Sequence, residues 1–235
     1  HRFKSPELPM PPADLQHVVN LYDAEIRFTD DAIERLVDGL AELGLAESTT
    51  LVFTADHGEE FKDHGSMGHG QTLYDEQLHT PLIIRGPGVP IGRAETPVQL
   101  LDLFPTICGL FGVQPPADLY GLDLVARHRD LHERPHLAET KFQGPWRRSL
   151  TAEGHKLVVG MSMGVQTLFD LDEDPYERQD RARLDPAAAA HMRGRLDELI
   201  AFEEQRRDSR RDAASSGPAV TGAQLEQLRA LGYVQ

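Results

Sequence analysis

The chain has 235 residues, 40% of them hydrophobic and 26% charged, which excludes wholesale disorder and leaves room for one α/β domain with an appendage. With 38 acidic against 24 basic residues its formal charge is −14, which argues against nucleic acid or an anionic membrane as a partner. Its single cysteine, Cys108, rules out an internal disulfide, and the sequence has no apolar run of about eighteen residues that would span a membrane.

The first twelve residues, HRFKSPELPMPP, are rich in proline. Apolar residues then recur at positions 15, 18, 19, 22, 26, 33, 36, 37, 40 and 43, a helical period that predicts one long helix or two consecutive ones broken near Phe28. Gly44 is the expected stop. TTLVFTAD (49–56) and TPLIIRGPG (80–88) read as buried strands of a sheet, and PVQLLDLFPTICGLFG (97–112) as an apolar helix with Cys108 in its core. Helix, strand, loop, strand and helix in succession predict an α/β layered fold.

Beyond Gly121, HLAET (136–140), RSLTAEGHKLVVG (148–160) and VQTLFDLDEDP (165–175) predict a small antiparallel sheet with a turn at Glu153-Gly154. An amphipathic helix over 186–206 follows. RRDSRRDAASSGPAVTG then reads as a mobile linker, and QLEQLRALGYVQ is apolar enough to dock back.

The densest chemistry lies between the two predicted strands, in TADHGEEFKDHGSMGHG (54–70), which places His57, His64 and His69 beside Asp56, Glu59, Glu60 and Asp63. In open α/β sheets ligands bind beyond the carboxyl ends of strands, where Asp56 and His57 fall. An Asp oxygen and an imidazole suit Mn²⁺, Zn²⁺, Fe²⁺ or Mg²⁺, provided that the strand has ended before them and that further ligands come from elsewhere. The competing interpretation makes Asp56 a turn cap, Glu59, Glu60, Lys62 and Asp63 a solvated face, and the histidines local hydrogen-bonding groups. Spacing alone does not choose between the two. His17, His79, His128, His132, His136, His155 and His191 read as ordinary core or surface histidines.

The stretch LVFTADHGEEFKDHGSMGHGQTLYDEQLHTPLIIRGPGVP closely resembles the sulfatase family of the alkaline phosphatase superfamily, with TADHGEE, GHGxTLYDE and TPLIIRGPG in the family's order. LYDAEIRFTDDAIERLVDGLAELG resembles the family's preceding helix and PVQLLDLFPTICGLFG the following one. GHKLVV with LFDLDEDPYE resembles its small C-terminal sheet, and LRALGYV is similar to the endings of many members.

The resemblance covers the family's second half. It implies a partial alkaline-phosphatase-like α/β sheet flanked by helices over 1–125, a small α+β subdomain with a C-terminal helix over 126–207, and a linker and tail over 208–235. It further implies hydrolysis of sulfuric esters, with Asp56 and His57 holding one divalent ion. That ion would be Ca²⁺ in many classical arylsulfatases, which have Asn at the second position. Mn²⁺ or Zn²⁺ is more usual in the phosphonate monoester hydrolase and phosphodiesterase branch, which His57 resembles, and Mg²⁺ also fits the donors.

His69 matches a position near the ester and leaving-group oxygens, and His1, in HRFKSP, matches the His of an HxPY element, with Phe3 and Lys4 in place of its Pro and Tyr. Both are thus catalytic and substrate-binding expectations. The family's CxPxR motif, whose Cys or Ser becomes the formylglycine nucleophile, has no counterpart at Cys108, which stands in CGLFG. The expected partner is a small-molecule sulfate or phosphate ester. The alternatives are a phosphodiester or phosphonate monoester hydrolase, or a non-catalytic remnant acting as a binding module. Half of a domain also predicts uncovered apolar surface and self-association.

Overall fold

The computed structural model describes residues 10–129, 131, 134–142, 144–215 and 222. The chain divides into two compact units, residues 1–192 and 193–235. In chain order, helices precede and follow a strand pair and a separate antiparallel sheet comes next, an α/β arrangement.

The helical period at the start forms one helix, α1 (Pro12–Glu42), without a break at Phe28. Pro12 opens it, where a missing N–H costs nothing, and Gly44, at φ +69°, ends it. None of its residues is buried, and its apolar stripe, including Leu21, Ile26, Phe28 and Leu36, is exposed. One link to the loop region is Tyr22, packed edge-on against Phe61 with ring centroids 5.1 Å apart.

Strands β1 (Leu51–Thr54) and β4 (Leu82–Arg85) pair antiparallel, with Leu51 opposite Arg85 and Thr54 opposite Leu82. The sequence predicts both as buried, and the structure corrects this: neither strand has a buried residue. The cross-strand pair Phe53 and Ile83 stands on one open face, Ile83 at 60% exposure, because no other layer among the described residues covers that side. A 3₁₀ turn (Leu100–Asp102) leads into α3 (Leu103–Leu110), on which Phe104 and Ile107 are also exposed.

Between β1 and β4 come β2 (Glu60–Phe61), β3 (Met67–Gly68) and the single-turn α2 (Asp75–Leu78). β2 and β3 pair as a two-residue ribbon, Glu60 opposite Gly68.

The hydrophobic core lies in the C-terminal sheet, β5 (His136–Thr140), β6 (Arg147–Ala152), β7 (His155–Gly160) and β8 (Gln166–Asp170), paired antiparallel in that order. The β6–β7 turn is the expected Glu153-Gly154, both at positive φ, as a two-residue hairpin requires. Leu150, Leu157 and Leu168 form one buried row across three strands. Together with Val159, Phe169, Ala189 and Met192 they make up most of the buried apolar residues described. A buried Leu of this kind contributes about 1.5–3 kcal/mol.

Helix α4 (Pro186–Ser215) starts in the first unit and continues through residues whose composition reads as a linker. The first Gly or Pro after 194 is Gly217, so nothing in the sequence stops the helix earlier. His1 and the closing LRALGYV lie outside the described residues.

Candidate active site

Strand β1 stops at Thr54, so Asp56 and His57 stand on irregular backbone past its carboxyl end. Gly58 fixes the path that follows. Its N–H donates to Gln77 O at 2.9 Å, and a Cβ on it would lie 2.0 Å from Glu76 O. Any side chain there would push the loop off α2.

The Asp56 Oδ1 accepts the His57 backbone N–H at 3.1 Å and lies 3.7 Å from His57 Nε2. His57 Nδ1 is 2.8 Å from the Gly58 carbonyl, which can only accept, so in the neutral ring Nδ1 carries the proton and Nε2 presents its lone pair. In that form a carboxylate oxygen and an imidazole lone pair sit side by side, and a backbone carbonyl orients the ring, as is usual for metal-ligating histidines. This donor set fits a divalent ion.

His69 follows β3 and joins the same place. Its ring stacks on that of His57, with centroids 3.9 Å apart and planes at 27°. Its Nδ1 donates to Glu59 Oε2 at 2.8 Å. One ligand-capable atom from each of His57, Glu59 and His69 lies within 4.8 Å of the others. The structure therefore brings Asp56, His57 and His69 together, and adds Glu59.

Of the residues that the competing interpretation assigns to a solvated face, Asp63 is exposed and Glu59 and Lys62 are half-buried, but Glu60 departs from it. Glu60 is fully buried. Its Oε1 accepts the backbone N–H groups of His64 and Ser66, and its Oε2 accepts from Thr72 Oγ1 and Gln77 Nε2. Four donors on one carboxylate offset its burial and pin both ends of the loop. Gln77, also buried, accepts the Gly70 N–H at 2.8 Å on its Oε1, so Glu60 is tied through Gln77 to the residue after His69.

The C-terminal sheet supports the same segment. Thr140 Oγ1 donates to Gly70 O, Arg147 Nη1 to Gln71 O, and the Phe142 ring lies over Gly70, where a Cβ would meet it at 2.9 Å.

His64 belongs to this bracing. It stacks on Tyr74 with centroids 3.6 Å apart, and its Nδ1 and Nε2 face Glu76 at 2.8 Å and the Glu177 carbonyl at 3.1 Å. Burial alone would lower its pKa, but the hydrogen bond and charge of Glu76 outweigh burial and raise it above 6.5, which favours the doubly protonated ring that both acceptors call for.

Beneath His64, Lys156 Nζ is fully buried, 2.7 Å from Glu177 Oε1 and 3.4 Å from Asp75 Oδ1, while Glu177 Oε2 accepts the Asp75 N–H at 2.7 Å. Burial pushes the Glu177 carboxyl up, with Lys156 pulling against it. Sequence reasoning offers a solvated face for Glu60 and passes over Gln77, Lys156 and Glu177. Lys156, a charge inside the apolar strand HKLVVG, is the visible signal among them.

The chain is similar to known proteins over most of its length. The family model described as Sulfatase matches residues 3–113. The uncharacterized sulfatase YidJ of Escherichia coli K12 is 30% identical over 218 residues, 88% of this chain and 43% of that protein. Arylsulfatase K of Bos taurus is 26% identical over 208 residues, covering 80% of this chain and 38% of its own length.

Among solved structures, the phosphonate monoester hydrolase SpPMH from Silicibacter pomeroyi superposes with a TM-score of 0.72 at 28% identity, covering 87% of this chain and 46% of that one. Crystal structures described as sulfatases superpose similarly, with TM-scores of 0.74 and 0.73, and show the alkaline-phosphatase-like fold. The chain is similar to members of the sulfatase family, whose model matches residues 3–113. It spans about two-fifths of the length of the curated relatives it matches, their C-terminal part.

Proposed function

We propose that this chain supplies the metal-binding and leaving-group side of a sulfatase-type active site that hydrolyses sulfuric esters, and that the nucleophile, a formylglycine, comes from a segment of the protein outside residues 1–235. The observation that carries this reading is the facing pair Asp56 Oδ1 and His57 Nε2, with His69 stacked beside it.

Asp56 and His57 would hold one divalent ion, which when bound supplies Lewis-acid stabilisation of negative charge on the reacting oxygens. The chain's own residues do the rest. The Gly58 carbonyl keeps the proton on His57 Nδ1, so that Nε2 stays a donor toward the ion. Glu59 fixes the His69 ring, and in its protonated form His69 donates from Nε2 to the departing ester oxygen, where charge develops. His1 is the second substrate-side donor in this reading. Gln77, Thr140 and Arg147 hold the backbone that presents His69, so the ring keeps its place without reorganising.

The uncovered apolar residues of α1, β1, β4 and α3 support a fold completed by further chain, and they favour association of residues 1–235 in isolation.

A second reading, phosphonate monoester hydrolysis, draws on the imidazole at position 57 and on the likeness to SpPMH. Parallel kcat/KM measurements on the intact protein with an aryl sulfate and a phosphonate monoester separate the two. The sulfatase reading expects the sulfate to be the better substrate, and a reversed order assigns the protein to the second reading.

A further inference from the structure

We infer that His57, Glu59 and His69 form a second transition-metal site, selective for a borderline ion such as Zn²⁺, that shares His57 with the Asp56–His57 pair and is therefore an alternative to it. The three side chains converge from different parts of the loop. His57 follows β1, Glu59 precedes β2, and His69 follows β3, yet one donor atom from each lies within 4.8 Å of the others. Glu59 Oε2 and His69 Nδ1 are 2.8 Å apart, already close to the separation of neighbouring ligands on one ion.

Ligand bonds of about 2.0–2.2 Å place neighbouring donors of a tetrahedral ion roughly 3.3–3.6 Å apart. His57 therefore has to swing inward, and Glu59 Oε2 and His69 Nδ1 have to part by about 0.5–0.8 Å. The His57 side chain is 42% exposed, and Gly58 O holds it by one hydrogen bond through the nitrogen that would not bind the ion.

Room for Glu59 comes from Gly68, at φ +96°, whose missing Cβ would stand 3.5 Å from Glu59 Oε1. An ion between Glu59 and His69 replaces the proton that they now share, and that proton moves to His69 Nε2, so the ring stays neutral. Two imidazoles and one carboxylate, with an open position toward solvent, match the preference of Zn²⁺ over Ca²⁺ or Mg²⁺, which favour all-oxygen shells.

The site shares His57 with the proposed hydrolytic ion but does not depend on hydrolysis, so its test reads no turnover. Metal-free protein is titrated calorimetrically with Zn²⁺, with far-UV circular dichroism confirming that each variant is folded. The expected result is one Zn²⁺ per chain, with affinity falling about 10–100-fold in both Glu59→Gln and His69→Gln and changing little in Asp56→Asn. Co²⁺ in place of Zn²⁺ gives the visible bands of a four-coordinate nitrogen- and oxygen-ligated ion, lost in His69→Gln. The inference is overturned if Zn²⁺ fails to bind, if it binds unchanged in both Glu59→Gln and His69→Gln, or if Asp56→Asn weakens it as much as His69→Gln does. A folded protein that fails this test leaves the hydrolase reading standing, because that reading rests on Asp56 and His57.

Discussion

Replacing Lys156 with methionine lowers the stability of the protein by about 3–5 kcal/mol, the cost of breaking a buried ion pair from one side. Lys156 is fully buried, and its ammonium is the cation that faces both Glu177 and Asp75. Methionine keeps the length and the apolar contacts of the stem, so the loss isolates the charge. What remains is a buried Glu177 carboxylate supported mainly by the Asp75 N–H.

The pH dependence has a definite sign. The Glu177 pKa is already raised from its usual 4.5 by burial, so above that pH the folded state binds more protons than the unfolded state, and stability falls as pH rises. Without Lys156 the carboxyl rises further. The deficit of Lys156→Met is therefore smallest near pH 4.5 and grows toward pH 7. Urea unfolding at both pH values measures it, and Lys156→Met/Glu177→Gln recovers much of the loss because no buried charge is left. A pH-independent deficit, or none, would show that the pair is not coupled as the geometry indicates.

Substituting Asp56 with alanine in the intact protein lowers kcat/KM for an aryl sulfate by on the order of 10²–10³-fold, the loss when one preorganised charge-stabilising group is removed. Asp56 leaves the β1 strand at its open end and makes no hydrogen bond in the buried bracing network that involves Glu60, Gln77 and Glu177. Stability should hence change little, by about 0.5 kcal/mol or less, as for a surface substitution. Chelator treatment of the wild-type protein should reproduce the loss, and a divalent ion should restore the wild type but not the variant. An activity drop that tracks a drop in thermal stability would assign Asp56 a structural role instead.

The sequence displays its chemistry at Asp56, His57 and His69 because these residues sit in a short, glycine-rich stretch at a strand end, where local rules apply. The antiparallel sheet is legible for a similar reason. Its strands alternate, and its turn, Glu153-Gly154, is local. The bracing was not legible. Glu60 lies among Glu59, Lys62 and Asp63 and has the composition of a solvated face, yet it is the buried anchor of the loop.

Lys156 and Glu177 meet across the sheet, and Asp75 reaches Glu177 from 102 residues away, a pairing that no window of sequence contains. The burial of β1 and β4 was misjudged for the opposite reason. An apolar run reports the tendency to be covered, while Phe53 and Ile83 show that among the described residues nothing covers them.

Residues 1–235 are proposed to hold one side of a hydrolytic site, and aryl sulfate turnover by the intact protein, measured beside that of residues 1–235 alone, decides it. Turnover is expected from the intact protein and none from the isolated chain. Turnover by the isolated chain that disappears in Asp56→Ala would contradict it, because the chain would then carry its own nucleophile.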